Sequence, residues 1–162
     1  MKISAQEEYG LRCLIQLARA PKDTLVTVKE IAKGEALSPA YVEKLLRLLA
    51  KAGLVHSARG IKGGYVLNRP PELISLGEVV AALGRVPTAT HICQQFTGTQ
   101  EACVHISNCG IRSVWSSLMS FVQGFLDRTT LASLLDDERA VSGRLAQRWN
   151  NVTMLTKESD HG

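Results

Sequence analysis

Residues 38–69, with the sequence SPAYVEKLLRLLAKAGLVHSARGIKGGYVLNR, decide the fold of this 162-residue chain. The stretch opens with Ser38-Pro39, a favoured helix N-cap followed by a residue that sacrifices no hydrogen bond at the first helical position. Apolar residues then recur three and four apart, which indicates one buried face of a helix, and Gly53 is suited to end it. The members of this stripe are Val42, Leu45, Leu46 and Leu49.

After Gly53 the pattern changes from helical to alternating. Two short segments, 55–58 and 65–68, are typical of strands, and the loop between them is rich in glycine and basic residues. Pro70-Pro71 ends the unit. The sequence therefore predicts a β-hairpin with a basic tip.

Two helices are predicted upstream of this stretch. The first runs from about Gln6 to Ala20, and Pro21 stops it. The second begins at Thr27, where Thr27-Val28-Lys29-Glu30 fits a capping box, and ends near Ala36. Two helices, a tight turn, a third helix and a hairpin form a winged helix-turn-helix, which we assign to residues 1–84. The predicted fold class is mainly α with a small β-hairpin wing.

In the second half of the chain, the sequence predicts a short helix, an irregular segment and a long helix. Ser75-Leu76-Gly77-Glu78 is another capping box and opens a helix through Leu83, whereas residues 85–110 look irregular. From about Ile111 a long helix follows, with apolar residues three and four apart, and Thr130 is suited to cap a further helix through about Leu135. Residues 139–162 are predicted to be a polar tail.

The charge of the chain is concentrated in its first half. The whole chain carries a net charge of +4, but the segment from Leu37 to Pro70 holds six basic residues and one acidic residue, a net charge of +5. A local excess of this kind favours a polyanionic partner, of which double-stranded DNA is the commonest, over the alternative of a solvated charged surface.

The size of the major groove, which admits one α-helix, selects the candidate DNA-binding residues. The helix that starts at Ser38 would enter N-terminus first. Glu43 could accept a hydrogen bond from a cytosine amino group, and the basic hairpin tip could probe the minor groove, whose negative potential attracts arginine. The candidate set is Thr27, Ser38, Pro39, Ala40, Tyr41, Glu43, Lys44, Arg47, Arg59 and Lys62.

No apolar run in the sequence reaches the roughly 20 residues that span a bilayer, and the first residues lack the apolar run of a signal peptide. We therefore expect a cytoplasmic protein without a membrane partner. Neither a Cys-x-x-Cys pair, nor a phosphate-cradling glycine loop, nor a Ser/His/Asp arrangement occurs in a supporting context, so an enzyme is not expected.

Four cysteines are present, and Cys13 is expected to be a buried thiol on the apolar face of the first helix. The others form the pattern Cys93-x9-Cys103-x5-Cys109. In this setting the residues favour metal or redox chemistry over a disulfide framework. Thiolates select zinc or iron–sulfur centres, and His91 or His105 could add a nitrogen. The spacing leaves open an iron–sulfur cluster, a structural zinc site (Cys93, Cys103, His105 and Cys109), a thiol switch and free thiols.

Several of these pieces resemble the IscR/NsrR-type regulators, a bacterial family of winged-helix iron–sulfur sensors. The resemblance covers about residues 1–138 and lies in Tyr9–Arg12, Ser38–Lys44, Gly53–Val55, Arg59–Pro70 and the three-cysteine loop. It implies a homodimer whose interface is the long helix. Residues 111–138 would then be the dimerisation region, and residues 85–110 the cluster-binding loop.

The resemblance also implies that Cys93, Cys103 and Cys109 hold the cluster with a variable fourth ligand. The histidine that IscR-like members place three residues after the last cysteine is replaced here by Arg112. The expected substitute is Glu8 acting in trans, with His105 as the alternative, and [2Fe–2S] is favoured over [4Fe–4S]. The function expected is a homodimeric repressor whose operator binding responds to redox state, nitric oxide or iron and cluster supply. The alternative is a winged-helix regulator with zinc-bound or switching cysteines.

Overall fold

The computed structural model describes residues 3–58, 63–84, 98–99 and 103–147. The helices are α1 (Ala5–Arg19), α2 (Val28–Gly34), α3 (Pro39–Lys51), α4 (Leu76–Leu83) and α5 (Gly110–Arg128), with short 3-10 helices at Pro71–Leu73 and Leu131–Leu134. Strands β1 (Val55–Ala58) and β2 (Gly64–Leu67) form one antiparallel hairpin. The predicted class, mainly α with a small wing, is confirmed.

Side-chain caps explain where the first helices begin. Thr27 precedes α2 and forms the predicted capping box with Glu30, while the Ser38 hydroxyl accepts a hydrogen bond from the Tyr41 backbone N–H at the start of α3. Ser4 forms an equivalent box with Glu7 ahead of α1. Each box satisfies backbone N–H groups that have no partner within the helix.

The core lies where α1, α3 and α4 meet. The predicted stripe of α3 (Val42, Leu45, Leu46 and Leu49) is fully buried, and so are Leu14 of α1 and Leu83 of α4. Leu131 enters the same cluster from beyond α5. Burying such a side chain contributes about 1.5–3 kcal/mol, so this contact holds the α3 helix against the rest of the domain.

The wing is joined to the chain upstream of α2, which the sequence did not predict. Tyr65 exchanges two backbone hydrogen bonds of 2.9 Å with Val26. A Cβ on Gly64 would lie 2.7 Å from the Val26 carbonyl oxygen, so only glycine fits beside this bridge. Strand β2 begins at Gly64, one residue before the predicted start, because Gly64 pairs with Ala58 of β1.

The chain after α5 folds back onto the core. Thr130 precedes a 3-10 helix instead of the predicted helix, and its side chain makes no capping bond. Its backbone is instead paired with Ser75, and the Leu131 N–H donates to the Ile74 carbonyl over 2.8 Å. Residues 138–147, mostly within the predicted polar tail, are helical. Arg144 anchors them by donating to the Ser133 carbonyl over 2.8 Å.

Helix α5 is 19 residues long and contains no buried residue. Its apolar side chains recur at helical spacing and face outward: Ile111 is 70 % exposed, Val114 65 %, Trp115 41 %, Leu118 42 % and Phe121 41 %. None of the helices described is long and apolar enough to cross a membrane.

Candidate nucleic-acid interface and cysteine loop

The N-terminal end of α3 is open to solvent. Pro39, Ala40 and Lys44 are exposed, and the Ser38 hydroxyl, although it caps the helix, lies at the surface. Within the described residues the Lys44 ammonium has no carboxylate at ion-pair distance. A duplex can therefore approach this end without first breaking an ion pair of Lys44.

Glu43 and Arg47 are paired with each other one helical turn apart. The Arg47 guanidinium donates to a Glu43 carboxylate oxygen over 2.5 Å, and both side chains remain largely exposed. Exposed pairs of this kind contribute only about 0.3–0.5 kcal/mol. The pair can therefore open at low cost when base edges or phosphates offer new partners.

Tyr41 is half-buried and held by its neighbours. Its ring meets that of Tyr9 edge to face with the centroids 6.2 Å apart, and the Arg12 guanidinium carbon lies 5.6 Å from the Tyr9 centroid. Aromatic and cation–π contacts each stabilise by about 0.5–1.5 kcal/mol. These contacts tie α3 to α1.

Thr27 has a structural task as well as a place among the DNA-binding candidates. Its hydroxyl donates to the Glu30 carboxylate over 2.8 Å and accepts from the Glu30 backbone N–H over 3.2 Å. The hydrogen bond from the Thr27 backbone N–H is the main reason why the pKa of Glu30 is lowered. The cap by itself explains a threonine here, so the DNA contact of Thr27 stays a prediction.

Not all cations of the basic segment are available to DNA. Arg69 donates to the Glu78 carboxylate over 2.7 Å, which ties the end of the wing to α4 and lowers the pKa of Glu78. Arg59 and Lys62, at the predicted wing tip, lie outside the described residues.

Two basic residues that sequence reasoning missed are Lys29 and Lys33 of α2. Both are exposed and have no ion pair within the described residues. They are four residues apart and therefore share one helix face, opposite the buried Ile31 and Ala32. The spacing of four residues between the two lysines is visible in the sequence and could have revealed this basic face. In a helix-turn-helix, the first of the two helices crosses the DNA backbone.

The described part of the cysteine loop contains Cys103, His105 and Cys109. Both thiols are free and half-buried, and His105 is exposed. Two turns shape this segment: the Ile106 N–H donates to the Cys103 carbonyl over 3.0 Å, and the Asn108 N–H to the His105 carbonyl over 3.2 Å. The loop ends at Cys109, the N-cap residue of α5.

The structure describes only part of the predicted ligand set and does not gather it into one group. Cys93 and His91 lie outside the described residues, and within the described residues no group of three or more His, Cys, Asp or Glu side chains is arranged to hold a metal. Glu8 lies on α1 and pairs with Arg12 over 2.7 Å. The two thiols fit the soft chemistry of iron–sulfur or zinc centres, but they do not complete a site within the described part of one chain.

Comparison with known proteins decides the family. Residues 3–137 match the family model described as Rrf2, iron-dependent transcriptional regulator. The chain belongs to the Rrf2 family of transcriptional regulators. The winged-helix resemblance deduced from the sequence is thereby confirmed.

The relatives of this chain include a protein named as a transcriptional regulator. The chain is 32 % identical over 137 residues to protein rrf2 of Nitratidesulfovibrio vulgaris, covering 85 % of this chain and 89 % of the relative. It is 30 % identical over 156 residues to the HTH-type transcriptional regulator IscR of Yersinia pseudotuberculosis, covering 96 % and 91 %.

Among solved structures it resembles CymR, the global cysteine regulator of B. subtilis, with a TM-score of 0.65 and 33 % identity over 83 % of this chain and 96 % of CymR. IscR and CymR are named as regulators and not as enzymes, so this Rrf2-family chain is a transcriptional regulator and not an enzyme.

Proposed function

We propose that this Rrf2-family chain is a homodimeric repressor whose binding to operator DNA is controlled by an iron–sulfur cluster in its cysteine loop. One observation carries the proposal: the loop with Cys103 and Cys109 leads directly into α5, whose apolar face is exposed. A group bound by the loop would therefore adjoin the surface suited to a second copy. Dimer geometry and cysteine chemistry would then be coupled.

The DNA-binding half of the proposal depends on α3 and the wing. The exposed N-terminal end of α3 fits the major groove, with Lys44 and Arg47 near phosphates or guanines. Lys29 and Lys33 of α2 would contact phosphates of the DNA backbone beside the groove. A two-fold dimer would present two such helices to half-sites about one helical turn apart.

The homodimer is supported by the outer face of α5. Ile111, Val114, Trp115 and Leu118 form one stripe at helical spacing, and each is at least 41 % exposed. Val104 and Ile106 of the cysteine loop are also exposed, by 65 % and 59 %. Water contact with so much apolar surface is unfavourable, and an identical stripe on a second copy would cover it.

The proposed ligands are Cys93, Cys103 and Cys109, with the partner's Glu8 as the fourth and His105 as the alternative. A bound cluster would supply a centre that reacts with oxidants or nitric oxide and that is lost when iron is scarce. As the cluster type we favour [2Fe–2S] over [4Fe–4S].

Contacts of Arg12 offer a route from the cluster to the DNA. In the isolated chain Arg12 pairs with Glu8 over 2.7 Å and reaches Glu35, the C-cap of α2, over 3.9 Å. If Glu8 leaves to bind iron, Arg12 keeps only Glu35 and the Tyr9 ring. Since Tyr9 packs on Tyr41 of α3, the loss of the Glu8–Arg12 pair would shift α3.

A second candidate function is supported by two observations. Cys103 and Cys109 are free thiols in one short loop, and the structural neighbour CymR is named as a cysteine regulator. On this alternative the cysteines bind zinc or are switched by thiol oxidation, and the DNA-binding half of the proposal is unchanged.

The deciding experiment is purification without oxygen, followed by visible absorption, iron, sulfide and zinc analysis, and operator binding of loaded and apo protein at one salt concentration. We expect visible charge-transfer bands, matched iron and sulfide, and different operator affinities for the two forms. A protein that stays colourless after treatment with iron and sulfide would overturn the cluster. Bound zinc, or affinity that follows thiol oxidation, would then support the second candidate.

A further inference from the structure

Arg112 lies in the first turn of α5 and points back at the loop that precedes it. Its Nη1 donates to the Ile106 carbonyl oxygen over 2.8 Å, across six residues of chain. The side chain is half-buried, and the first turn of α5 contains no acidic residue. Within the described residues no carboxylate pairs with this guanidinium.

This hydrogen bond closes the segment between the two thiols. Ile106 is already turned back on Cys103 through a backbone bond of 3.0 Å, and Cys109 starts the helix that carries Arg112. The guanidinium therefore connects the turn that begins at Cys103 to helix α5, whose N-cap is Cys109. Without it, the relative position of the two thiols would depend on weak turns in an exposed loop.

We propose that Arg112 is a positioning residue that holds Cys103 and Cys109 as a preformed dithiol before any ligand arrives. An arginine side chain has no lone pair for a metal, so this role is not that of a ligand. Its charge adds to the positive end of the α5 dipole, and both favour a negatively charged thiolate-bound group. The inference rests on the proposed function only in assuming that the two thiols act together.

The test uses phenylarsine oxide on the apo full-length chain with Cys13→Ala and Cys93→Ala, which leaves only the two loop thiols. In this reaction two As–S bonds replace the As=O bond, and the two thiol protons leave with the oxygen as water, so a stable adduct requires neighbouring thiols. We expect one arsenic per chain and a Kd about tenfold weaker in Arg112→Ala, the factor that corresponds to disordering about one residue of backbone.

Further variants separate this role from general stability. Arg112→Lys, which keeps the charge and a donor, should restore part of the affinity, whereas Arg139→Ala, an exposed arginine outside the loop, should leave it unchanged. Thermal unfolding of each variant checks that the fold is intact.

Equal arsenic affinity of the parent and Arg112→Ala would overturn the inference, and so would a parent that binds no arsenic. The assay contains no iron. If the protein is colourless but its arsenic affinity depends on Arg112, the cluster is rejected and this inference stands. If the protein is coloured but its arsenic affinity does not depend on Arg112, the cluster stands and this inference is rejected.

Discussion

Cys13 shows how burial decides the chemistry of one residue. Its side chain is fully buried in α1, and desolvation, with a smaller effect of nearby Glu35, raises the pKa of its thiol to about 12. Since the thiolate is the reactive form, this thiol would be almost entirely unreactive at pH 8. This cysteine is therefore a packing residue and takes no part in the proposed sensing.

We predict that iodoacetamide at pH 8 labels Cys103 and Cys109 in the native protein and leaves Cys13 unlabelled until guanidinium unfolds the chain. Peptide mapping by mass spectrometry after timed quenching measures the three rates. Native labelling of Cys13 at a rate similar to that of the loop cysteines would contradict the packing of α1 against α3.

Lys44 and Arg69 form a matched pair of cations from the same basic segment. Lys44 has no ion pair within the described residues, whereas Arg69 is held by Glu78. We expect Lys44→Ala to weaken binding to operator and unrelated DNA alike, and to reduce the slope of log K against log salt by about 1, the effect of one lost phosphate contact.

Fluorescence anisotropy over a salt series measures the slope for Lys44→Ala, and Arg69→Gln is the control, for which we expect no change. An equal reduction in both variants would mean that Glu78 does not keep Arg69 from the DNA. An unchanged slope in Lys44→Ala would remove Lys44 from the interface.

At the scale of elements, the start of α4 combines a capping box with a link to the wing. Glu78 accepts from the Ser75 backbone N–H over 3.0 Å and from Arg69 over 2.7 Å. These bonds, that of Arg69 foremost, lower the pKa of the carboxyl below its ordinary value of 4.5. A carboxyl with a lowered pKa stabilises the fold above its unfolded-state pKa, and this contribution is lost as the pH falls through the folded-state value.

We predict that Glu78→Gln, which keeps an oxygen acceptor for the cap and removes the charge, lowers the free energy of unfolding at pH 7 by about 0.5 kcal/mol, as expected of an exposed ion pair. The difference from the parent should shrink below pH 4.5 and vanish once the parent carboxyl is protonated. Urea unfolding monitored by circular dichroism at several pH values measures it. A difference that stays constant with pH would assign the effect to the cap instead of the charge.

At the scale of the whole molecule, the exposed face of α5 is the proposed dimer surface. Leu118 lies in the middle of the stripe and is 42 % exposed. We predict that Leu118→Arg gives a monomer, because a charge at the centre of an apolar interface loses its hydration without a partner. Operator affinity should fall by about a hundredfold or more, since the two half-sites would no longer be bound by one linked molecule.

Sedimentation velocity and anisotropy on the same samples test this prediction. Ser120→Arg, an exposed position on the same helix that is not three or four residues from any member of the stripe, is the matched control and should remain dimeric. A dimeric Leu118→Arg with parental affinity would place the interface elsewhere.

The sequence by itself determined the local structure of this regulator. The boxes Thr27–Glu30 and Ser75–Glu78, the stripe of α3 and the hairpin could be predicted because a cap or an amphipathic period involves residues a few positions apart. The candidate interface at the start of α3 follows from the same local signals. The family motifs added the cysteine loop and the expectation of a dimer.

Only the tertiary structure decided which distant segments meet. The Arg69–Glu78 pair, the Val26–Tyr65 bridge and the Thr130–Ser75 bridge join segments separated along the chain. The same is true of the Arg12 contact with Glu35. Such contacts depend on how helices pack, and many pairings are compatible with one periodic pattern. Charge and residue type could be read from the sequence, but the partner that each charge finds was decided by the fold.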